Sequence, residues 1–371
     1  MSFAAAISEH PVPASAIGEV TGDVLERLGQ YPDLAVLFVT PPHAGALEDL
    51  AGTVRSILEP AVTIGCAAAS VLGNEREVED APAVTLWAGK FGPVAGIRLV
   101  DPDGWPDPLP FAAEAALIIA DPFSFPVDEL LDRVDLPLIG GMASAARGPG
   151  GNRLVLNGQV FSDGAVAALI GRGAGLETIV SQGCRPIGVP LVVTKAERNV
   201  IYELAGQPAL ERLVGMARSG MNERDIQLIN RGLHLGLVID EHKAEFGRGD
   251  FLVRNVLGAD QANGAIAVGG VVEVGTTVQF HVRDAESADE DLRLLTAGRA
   301  ADAALLFTCN GRGIRLFGIP DHDAGVVSDA LGGKPIAGFF AAGELGPVGG
   351  RNFLHGFTAS VALFTGAGPS T

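Results

Sequence analysis

Cysteine is scarce in this sequence, and the arrangement of the few cysteines excludes several classes of protein. Only three occur among the 371 residues, Cys66, Cys184 and Cys309, and no two of them are close in sequence. No CxxC motif is present and the Cys and His residues lack zinc-ligand spacing, so we expect no disulfide framework, no metal site and a reducing compartment. Residues 171–175 are glycine-rich but lack both the G-x-G-x-x-G spacing and a Walker lysine, and we therefore expect no cofactor.

Positive charge and long apolar runs are also limited. The 26 Lys and Arg residues face 44 Asp and Glu residues, giving a net charge of −18. Without a basic cluster, such a surface repels phosphate backbones and anionic lipids, so neither nucleic acid nor membrane is an expected partner. The longest apolar runs, such as 115–120, are strand-sized, and residues 1–13 do not resemble a signal peptide. We expect a soluble protein that stays in the cytoplasm.

Glycine, in contrast, is abundant and is spread over the whole chain. The 50 glycines lie at predicted strand ends and turns, which favours tight turns and close backbone approach around a binding surface. A glycine- and alanine-rich genome explains the same composition, and the sequence leaves both explanations open. The length of the chain fits two domains, each large enough for its own core.

A unit of apolar strand, helix, glycine-bearing strand and further strand recurs three times. Roughly 20 to 30 residues separate its first two strands, enough for a crossover helix, so we expect those strands to be parallel and the third to pair antiparallel. The first copy comprises 36–40, 47–58, 64–66 and 84–87. The second comprises 117–120, 127–134, 138–141 and the closing strand 153–156, with 166–170 as a following apolar segment. The third comprises 304–308, 324–331, 336–340 and 360–364.

The region between the second and third copies has a different pattern. Short strands separated by Gly, Asn and Asp predict a meander, preceded by two strands and a helix at 205–217. We place a domain boundary near Asn199, which gives an N-terminal segment 1–32 and domains 33–199 and 200–371. The predicted fold class is α/β, with two domains of related mixed-sheet βα-ββ units and helices packed on the sheets. The meander strands are 235–240, 251–256, 265–268 and 276–282.

Specific motifs stand in the last 70 residues. They are ALLFTCNGRG at 304–313, LFG at 316–318 and PIAGFFAAGELGPVGGRNFLHGFTASVALF at 335–364, with VIYELAGQPALE at 200–211 upstream. Together they resemble the FIST family (F-box and intracellular signal transduction), and the resemblance extends over about 33–364. It implies an N-terminal and a C-terminal FIST domain and a function as an intracellular sensor of small ligands, such as amino acids or their relatives, rather than as an enzyme.

The motif at 309–313 suggests an anion-binding turn. A buried strand ending in Cys309, Asn310, Gly311 and Arg312 presents backbone N–H groups in a glycine-permitted turn, and Arg312 adds a planar, permanently charged group suited to a carboxylate or phosphate. The structural alternative is that Arg312 pairs with Glu344 or Asp321.

Glu344 is the second charged candidate. Its carboxylate could receive a ligand's ammonium group, giving with Arg312 the two charges that an amino acid requires; alternatively it caps a turn or pairs with Arg351. His355 is either a hydrogen-bonding group of the pocket wall or a structural histidine. The complete set of predicted ligand-binding residues is Cys309, Asn310, Gly311, Arg312, Phe339, Glu344, Arg351, Asn352 and His355.

The sequence thus predicts a non-enzymatic sensor that binds a small polar ligand in a pocket formed by the C-terminal domain and the domain junction, with a signalling protein as a further partner. Two other functions remain open. One is a cysteine-dependent hydrolase or transferase in which Cys309 is the nucleophile. The other is a protein–protein adaptor that docks a partner through its glycine-rich loops.

Overall fold

The computed structural model describes residues 2–218 and 221–366. It combines strands and helices in mixed sheets, as the α/β prediction requires. Contacts divide the chain into two compact units: the larger unit contains the residues through Ser181 and those from Leu292 onward, and the smaller unit is Gln182–Asp291. Within the described chain, none of the helices combines the length and the apolar character needed to cross a bilayer.

Strands and helices follow one another along the chain, with strands in the majority. The helices are α1 (Pro13–Leu28), α2 (Leu47–Leu58), α3 (Val127–Leu131), α4 (Ala209–Arg218), α5 (Glu223–Arg231), α6 (Ala285–Thr296), α7 (Ile314–Phe317) and α8 (His322–Leu331). The strands are β1 (Phe3–Ser8), β2 (Leu34–Val39), β3 (Val62–Ala67), β4 (Ser70–Gly73), β5 (Arg76–Glu79), β6 (Val84–Gly89), β7 (Val94–Leu99), β8 (Ala113–Ala120), β9 (Leu138–Met142), β10 (Leu154–Leu156), β11 (Gln159–Phe161), β12 (Ala165–Gly171), β13 (Leu176–Gln182), β14 (Cys184–Glu197), β15 (Val200–Leu204), β16 (Gln207–Pro208), β17 (Leu233–Val238), β18 (Phe251–Asp260), β19 (Ala265–Val268), β20 (Thr277–Arg283), β21 (Ala303–Cys309), β22 (Ile336–Ala341), β23 (Glu344–Val348), β24 (Arg351–His355) and β25 (Thr358–Phe364).

Three six-stranded sheets of the larger unit repeat one strand order. The orders are β1-β6-β2-β3-β10-β11, β7-β12-β8-β9-β23-β24 and β13-β25-β21-β22-β4-β5. In each sheet the first and second strands of a predicted copy are parallel, as β2 and β3 are. The third strand pairs antiparallel with the first. The repeat inferred from the sequence therefore corresponds to three sheets of one topology.

Each copy also contributes a hairpin to the sheet of another copy. The hairpin β4–β5 of the first copy pairs with β22 of the third, β10–β11 of the second pairs with β3 of the first, and β23–β24 of the third pairs with β9 of the second. The prediction that 153–156 closes the second sheet was therefore wrong. Those residues form the exchanged strand β10, and the following apolar segment, β12, is the closing strand.

The three sheets face a common core, and helices cover their outer faces. Trp87, Phe38, Phe307 and Phe339 belong to one buried cluster that draws side chains from all three sheets. Separate apolar clusters lie under α1 and α2, under α3 and under α8. The predicted N-terminal segment takes part in this packing, since β1 pairs with β6 and α1 buries one face.

One glycine recurs at the same place in all three copies, where two parallel strands approach closely. Gly65, Gly140 and Gly338 lie opposite the first strand of their copies. Any side chain there would collide with backbone rather than with a movable side chain. An added Cβ would stand 1.8, 1.9 and 1.7 Å from the carbonyl oxygens of Leu37, Ile118 and Leu306 respectively.

The smaller unit contains the predicted meander. Strands β17, β18 and β19 pair antiparallel in succession, and β20 pairs with β17 and β14. The seven-stranded sheet has the order β14-β20-β17-β18-β19-β15-β16, and β14 also pairs with β15. The helix predicted at 205–217 begins later, at Ala209, because Gln207 and Pro208 form a short strand first.

The recurrent glycine gives a test of this packing. We expect Gly338→Ala to destabilise the protein by at least the upper end of the about 1–3 kcal/mol typical of overpacking, since its Cβ would meet a backbone carbonyl. In Gly325→Ala the added Cβ meets nothing within 4 Å, and the same change in helix α8 should stabilise by up to about 1 kcal/mol. Chemical denaturation measures both. A Gly338→Ala protein as stable as the wild type would contradict this account.

Candidate functional site

Arg312 lies in the loop between β21 and α7 but is completely buried, with 0% exposure. Its Nε donates to Asp323 Oδ2 at 2.6 Å and its Nη2 donates to Asp323 Oδ1 at 2.9 Å. This is a two-point ion pair of the kind that favours arginine over lysine. The sequence had suggested Glu344 or Asp321 as the structural partner, and the direct partner is instead Asp323, in the first turn of α8.

The Asp323 carboxylate contacts three side chains, those of Arg312, Thr308 and His322, and stays ionised. The Thr308 hydroxyl donates to it, and His322 Nδ1 lies 2.9 Å from its Oδ1. Burial by itself would raise the pKa of Asp323, but the charge and hydrogen bonds of Arg312 hold that pKa well below its usual range. Burial would likewise lower the pKa of Arg312, and Asp323 more than offsets this effect. Both partners are therefore charged.

The short helix α7 covers this ion pair with an aromatic ring. The Arg312 guanidinium lies over the Phe317 ring at 5.2 Å from its centroid. The ring of His322 stacks on Phe317, with centroids 3.3 Å apart and planes at 9°. The glycines of the loop allow this tight path, since Gly313 has φ 62° and its added Cβ would meet Glu79 at 2.4 Å.

The exchanged hairpin of the first copy supplies two further carboxyl groups. Glu77 Oε1 accepts a hydrogen bond from the backbone N–H of Ala324 at 2.9 Å, and the Glu77 N–H donates to Asp321 Oδ1 at 2.6 Å. Glu79 Oε1 accepts from the Ile314 N–H at 2.9 Å. Residues more than 200 positions away in sequence thus satisfy the first turns of α8 and α7.

Glu344 is fully buried at the start of β23. Its Oε2 accepts hydrogen bonds from the Thr358 N–H at 3.0 Å and from the Thr358 hydroxyl at 2.8 Å. Burial raises the pKa of Glu344 to about 8, although Thr358, the charge of Arg312 and the Cys309 thiol act in the opposite direction. The sequence had suggested that Glu344 caps a turn or pairs with Arg351. In the structure its side chain is instead bound by Thr358.

Glu77 has a similarly shifted pKa. Burial, and next the charge of Asp323, raise the pKa of Glu77 to about 8, against the hydrogen bond from Ala324 and the attraction of Arg312. At neutral pH both Glu77 and Glu344 are therefore mostly protonated. The group of Asn310, Arg312, Glu77, Asp323 and Glu344 is called the Arg312 cluster below.

Four polar atoms of the Arg312 cluster are buried without a hydrogen-bond partner among the described residues. The Cys309 thiol also interacts with the Glu344 carboxyl group. Unpaired buried polar atoms cost about 1–3 kcal/mol each, so such a concentration calls for a partner. The four atoms are Asn310 Oδ1, Arg312 Nη1, Glu77 Oε2 and Glu344 Oε1.

Two predicted ligand residues have structural contacts that occupy their side chains. The Phe339 ring lies in the common core, 4.9 Å from the ring of Phe38, while Phe340 points to the opposite face of the sheet. Asn352 donates to the carbonyls of Val134 and Leu136 and accepts from the Leu138 N–H, which fixes the segment before β9.

The other predicted ligand-binding residues include Arg351 and His355, on the hairpin β23–β24. Arg351 is exposed on the hairpin and lies over the Phe353 ring at 5.5 Å. His355 is the cross-strand neighbour of Glu344, and its Nε2 lies 2.9 Å from the Gly346 carbonyl oxygen. Cys309, the last residue of β21, and Gly311, in the loop that follows, lie on either side of Asn310 in the chain. Over the described ranges no group of three or more His, Cys, Asp or Glu residues could hold a metal ion.

Glu77 and Asp323 were missed by the sequence analysis. Asp323 follows the conspicuous glycine motif by only ten residues, and an acidic residue in a helix's first turn is ordinarily explained as a helix-terminus charge. Glu77 lies in a mixed-charge hairpin of the first copy, which looks like a solvated turn. Glu77 and Val78 are both buried, between the exposed Arg76 and the half-buried Glu79, and this burial becomes visible only in the folded chain.

Models of known protein families match most of this chain. A model of the FIST N domain matches residues 33–207, and a model of the FIST C domain matches residues 209–347. The chain belongs to the FIST family. FIST domains are sensory domains of signal transduction and are not a known enzyme family. The boundary that we placed near Asn199 stays a prediction.

Two of the relatives of this FIST protein match it over nearly its whole length, and a third matches a shorter part. An uncharacterized protein of Mycobacterium tuberculosis (strain ATCC 25618 / H37Rv) is 44% identical over 383 residues, covering 98% of this chain and 100% of the relative. An uncharacterized protein of Mycobacterium bovis is 40% identical, covering 98% and 99%. An uncharacterized protein of Methanocaldococcus jannaschii is 33% identical over 90 residues, which is 24% of this chain and 18% of that protein.

The buried ion pair gives a stability prediction. Arg312→Ala leaves Asp323 as a buried, unpaired carboxylate, so we expect it to lower the free energy of unfolding by about 3–5 kcal/mol. Arg315→Ala, three residues away on the exposed side of α7, should change it by no more than about 0.5 kcal/mol. Urea denaturation of the two variants measures the difference. Equal stabilities would show that the pair is not structurally required.

Glu344 gives a pH prediction. Its pKa is about 8 in the folded state against 4.5 for the free side chain, so the folded protein holds a proton that the unfolded chain has released. Stability should therefore fall as pH rises from 4.5 to about 8, and Glu344→Gln should reduce that slope. Glu48→Gln, on the exposed face of α2, should not. Denaturation curves at several pH values test this, and an unchanged slope in Glu344→Gln would refute it.

Proposed function

We propose that this FIST protein senses a small polar molecule that binds at the Arg312 cluster. The observation that carries the proposal is the set of four buried polar atoms of the Arg312 cluster that have no hydrogen-bond partner among the described residues. A folded protein rarely leaves so many hydrogen-bonding groups unsatisfied in one place. A ligand that satisfies them would gain several charge-assisted hydrogen bonds in a region shielded from water.

Access to the cluster is through the loop that ends β21. Cys309, Asn310 and Gly311 are partly exposed, whereas Arg312 behind them is buried. Gly311 and Gly313 allow this loop to adopt several backbone conformations at little cost. Movement of the loop is the simplest route by which a molecule would reach the unpaired atoms.

The cluster also provides a way to report occupancy. Glu77 belongs to the first copy, while Arg312 and Asp323 belong to the third, and Glu77 satisfies the first turn of α8. A ligand that draws Glu77 toward itself would compete with that contact and alter the start of α8. Binding shifts such an equilibrium only through different affinities for the two arrangements. The signalling protein that would receive this change, and the location in the cytoplasm, stay predictions from the sequence.

The proposal is tested by ligand-dependent thermal stability. Wild-type protein, Glu344→Gln and the exposed control Glu48→Gln are melted with single amino acids, small carboxylates and small amines. A compound that binds only the folded state at 100 times its Kd stabilises by about 2.7 kcal/mol. We expect at least one compound to raise the Tm of the wild type and of Glu48→Gln but not of Glu344→Gln. If no compound does so, the site does not bind a molecule of these classes and the proposal fails.

A further inference from the structure

Cys309 differs from the other two cysteines in its exposure. Cys66 and Cys184 are buried, whereas Cys309 is partly exposed at the end of β21, and none of the three forms a disulfide. A thiol reacts where a reagent can reach the sulfur and where the thiol proton can leave. In the folded chain, Cys309 is the cysteine that meets the first condition.

The register of the third sheet brings the Cys309 thiol beside the Glu344 carboxyl group. Strands β21 and β25 are antiparallel, with Thr308 opposite Ala359. The next residue, Cys309, therefore comes level with Thr358, which donates its N–H and its hydroxyl to Glu344 Oε2. The thiol interacts with the Glu344 carboxyl group at this point. A partly exposed thiol and a buried carboxyl group are thus direct neighbours.

The Glu344 carboxyl group is able to take up the thiol proton. Glu344 is completely buried, and its Oε1 has no hydrogen-bond partner among the described residues. Burial raises the pKa of Glu344 to about 8, near the value of about 8.5 for an ordinary thiol. Two groups of similar pKa exchange a proton at little cost in free energy. Arg312, which interacts with Cys309 through its charge, favours a negative charge on the sulfur.

We propose that Cys309 is a modification site at which a small hydroperoxide oxidises the thiol to a sulfenic acid, with Glu344 as the group that takes up and returns the proton. The inference goes beyond the proposed function, because it requires no ligand at the Arg312 cluster. The reaction is a stoichiometric modification of the protein, and a thiol reductant reverses it.

The reactive form of the pair holds one proton, either on the sulfur or on the carboxyl group. The S–H bond of Cys309 breaks and its proton passes to the Glu344 carboxylate. The electron pair of the sulfur forms an S–O bond to the terminal oxygen of the hydroperoxide, and the O–O bond breaks. The leaving oxygen takes the proton from Glu344 and departs as water or an alcohol. The sulfur is oxidised and the hydroperoxide is reduced.

The surroundings of Cys309 favour a small, uncharged oxidant. Arg312 and Asp323 compensate each other's charge, and the net charge of −18 repels anions. The neighbouring side chains of Arg312 and Glu344 are completely buried, and adding bulk in such packed surroundings is costly. A hydroperoxide is neutral and adds only one oxygen atom to the sulfur.

Trapping of the sulfenic acid tests the inference. Wild type, Glu344→Gln, the exposed control Glu48→Gln and Cys309→Ser are treated with hydrogen peroxide in the presence of dimedone, which reacts with sulfenic acids. Mass spectrometry of the peptides gives the site and the rate. Iodoacetamide counts the accessible thiols in parallel. Cys66 and Cys184 serve as internal controls, because both are buried and react only when the protein unfolds.

At pH 7 we expect trapping at Cys309 alone in the wild type and in Glu48→Gln. The rate in Glu344→Gln should be lower by at least about tenfold, since a positioned base is lost. At pH 9.5 hydroxide removes the thiol proton without help, so Glu344→Gln should approach the wild-type rate.

The comparison at each pH isolates Glu344, because all variants keep the other titratable groups near the pair. Arg312 interacts with both the thiol and the carboxyl group and is itself paired with Asp323. His355 is the cross-strand neighbour of Glu344. If iodoacetamide shows that Glu344→Gln is unfolded, Thr358→Val replaces it. This variant lacks the hydroxyl that stabilises the Glu344 carboxylate and should also slow the reaction at pH 7.

Three outcomes overturn the inference. An equal or faster rate in Glu344→Gln at pH 7 would mean that the carboxylate does not assist the thiol. A low rate that persists at pH 9.5 would mean that the substitution blocks access to the sulfur. Absence of trapping at Cys309 in the wild type would mean that this thiol is not an oxidation site, and the thermal-shift test of the proposed function would be unaffected by that result.

Discussion

The exchange of hairpins among the three sheets is the constraint on which the larger unit depends. Each sheet is completed by two strands that belong to another copy, so none of the copies can form its full sheet alone. The exchange pairs a backbone edge that would otherwise be open to solvent or to other chains. It also joins the three inner faces into one core, which explains why the first and third copies pack together despite their separation in sequence.

The same exchange creates the Arg312 cluster. The hairpin of the first copy lies against the helix and loop of the third, and this placement takes Glu77 and Glu79 to the starts of α8 and α7. A buried ion pair is costly to desolvate and is not in itself a reason for high stability. Its clearer consequence is to hold Arg312 in one orientation. Burial, against the attraction of Arg312, raises the pKa of the neighbouring Glu77 and Glu344 to about 8.

Much of the local structure could be predicted from short-range pattern. Buried parallel strands have continuous apolar sequences because both of their faces are covered. The strands at 34–39, 62–67 and 303–309 follow this rule. The alternation that separates Phe339 from Phe340 is also a local property of a strand. The second copy's closing strand was misassigned because β10 and β12 are both apolar and the pattern does not say with which sheet each pairs.

The sequence by itself determined the family, the α/β class and the threefold repetition. These depend on periodicity, on glycine at fixed positions and on contiguous text, all of which are local. Only the tertiary structure decided that Arg312 is held by Asp323, that Glu344 contacts Thr358 and that Glu77 joins them. Charge pairing in a core depends on which elements meet across the sheets, and long-range strand exchange leaves no trace in local spacing.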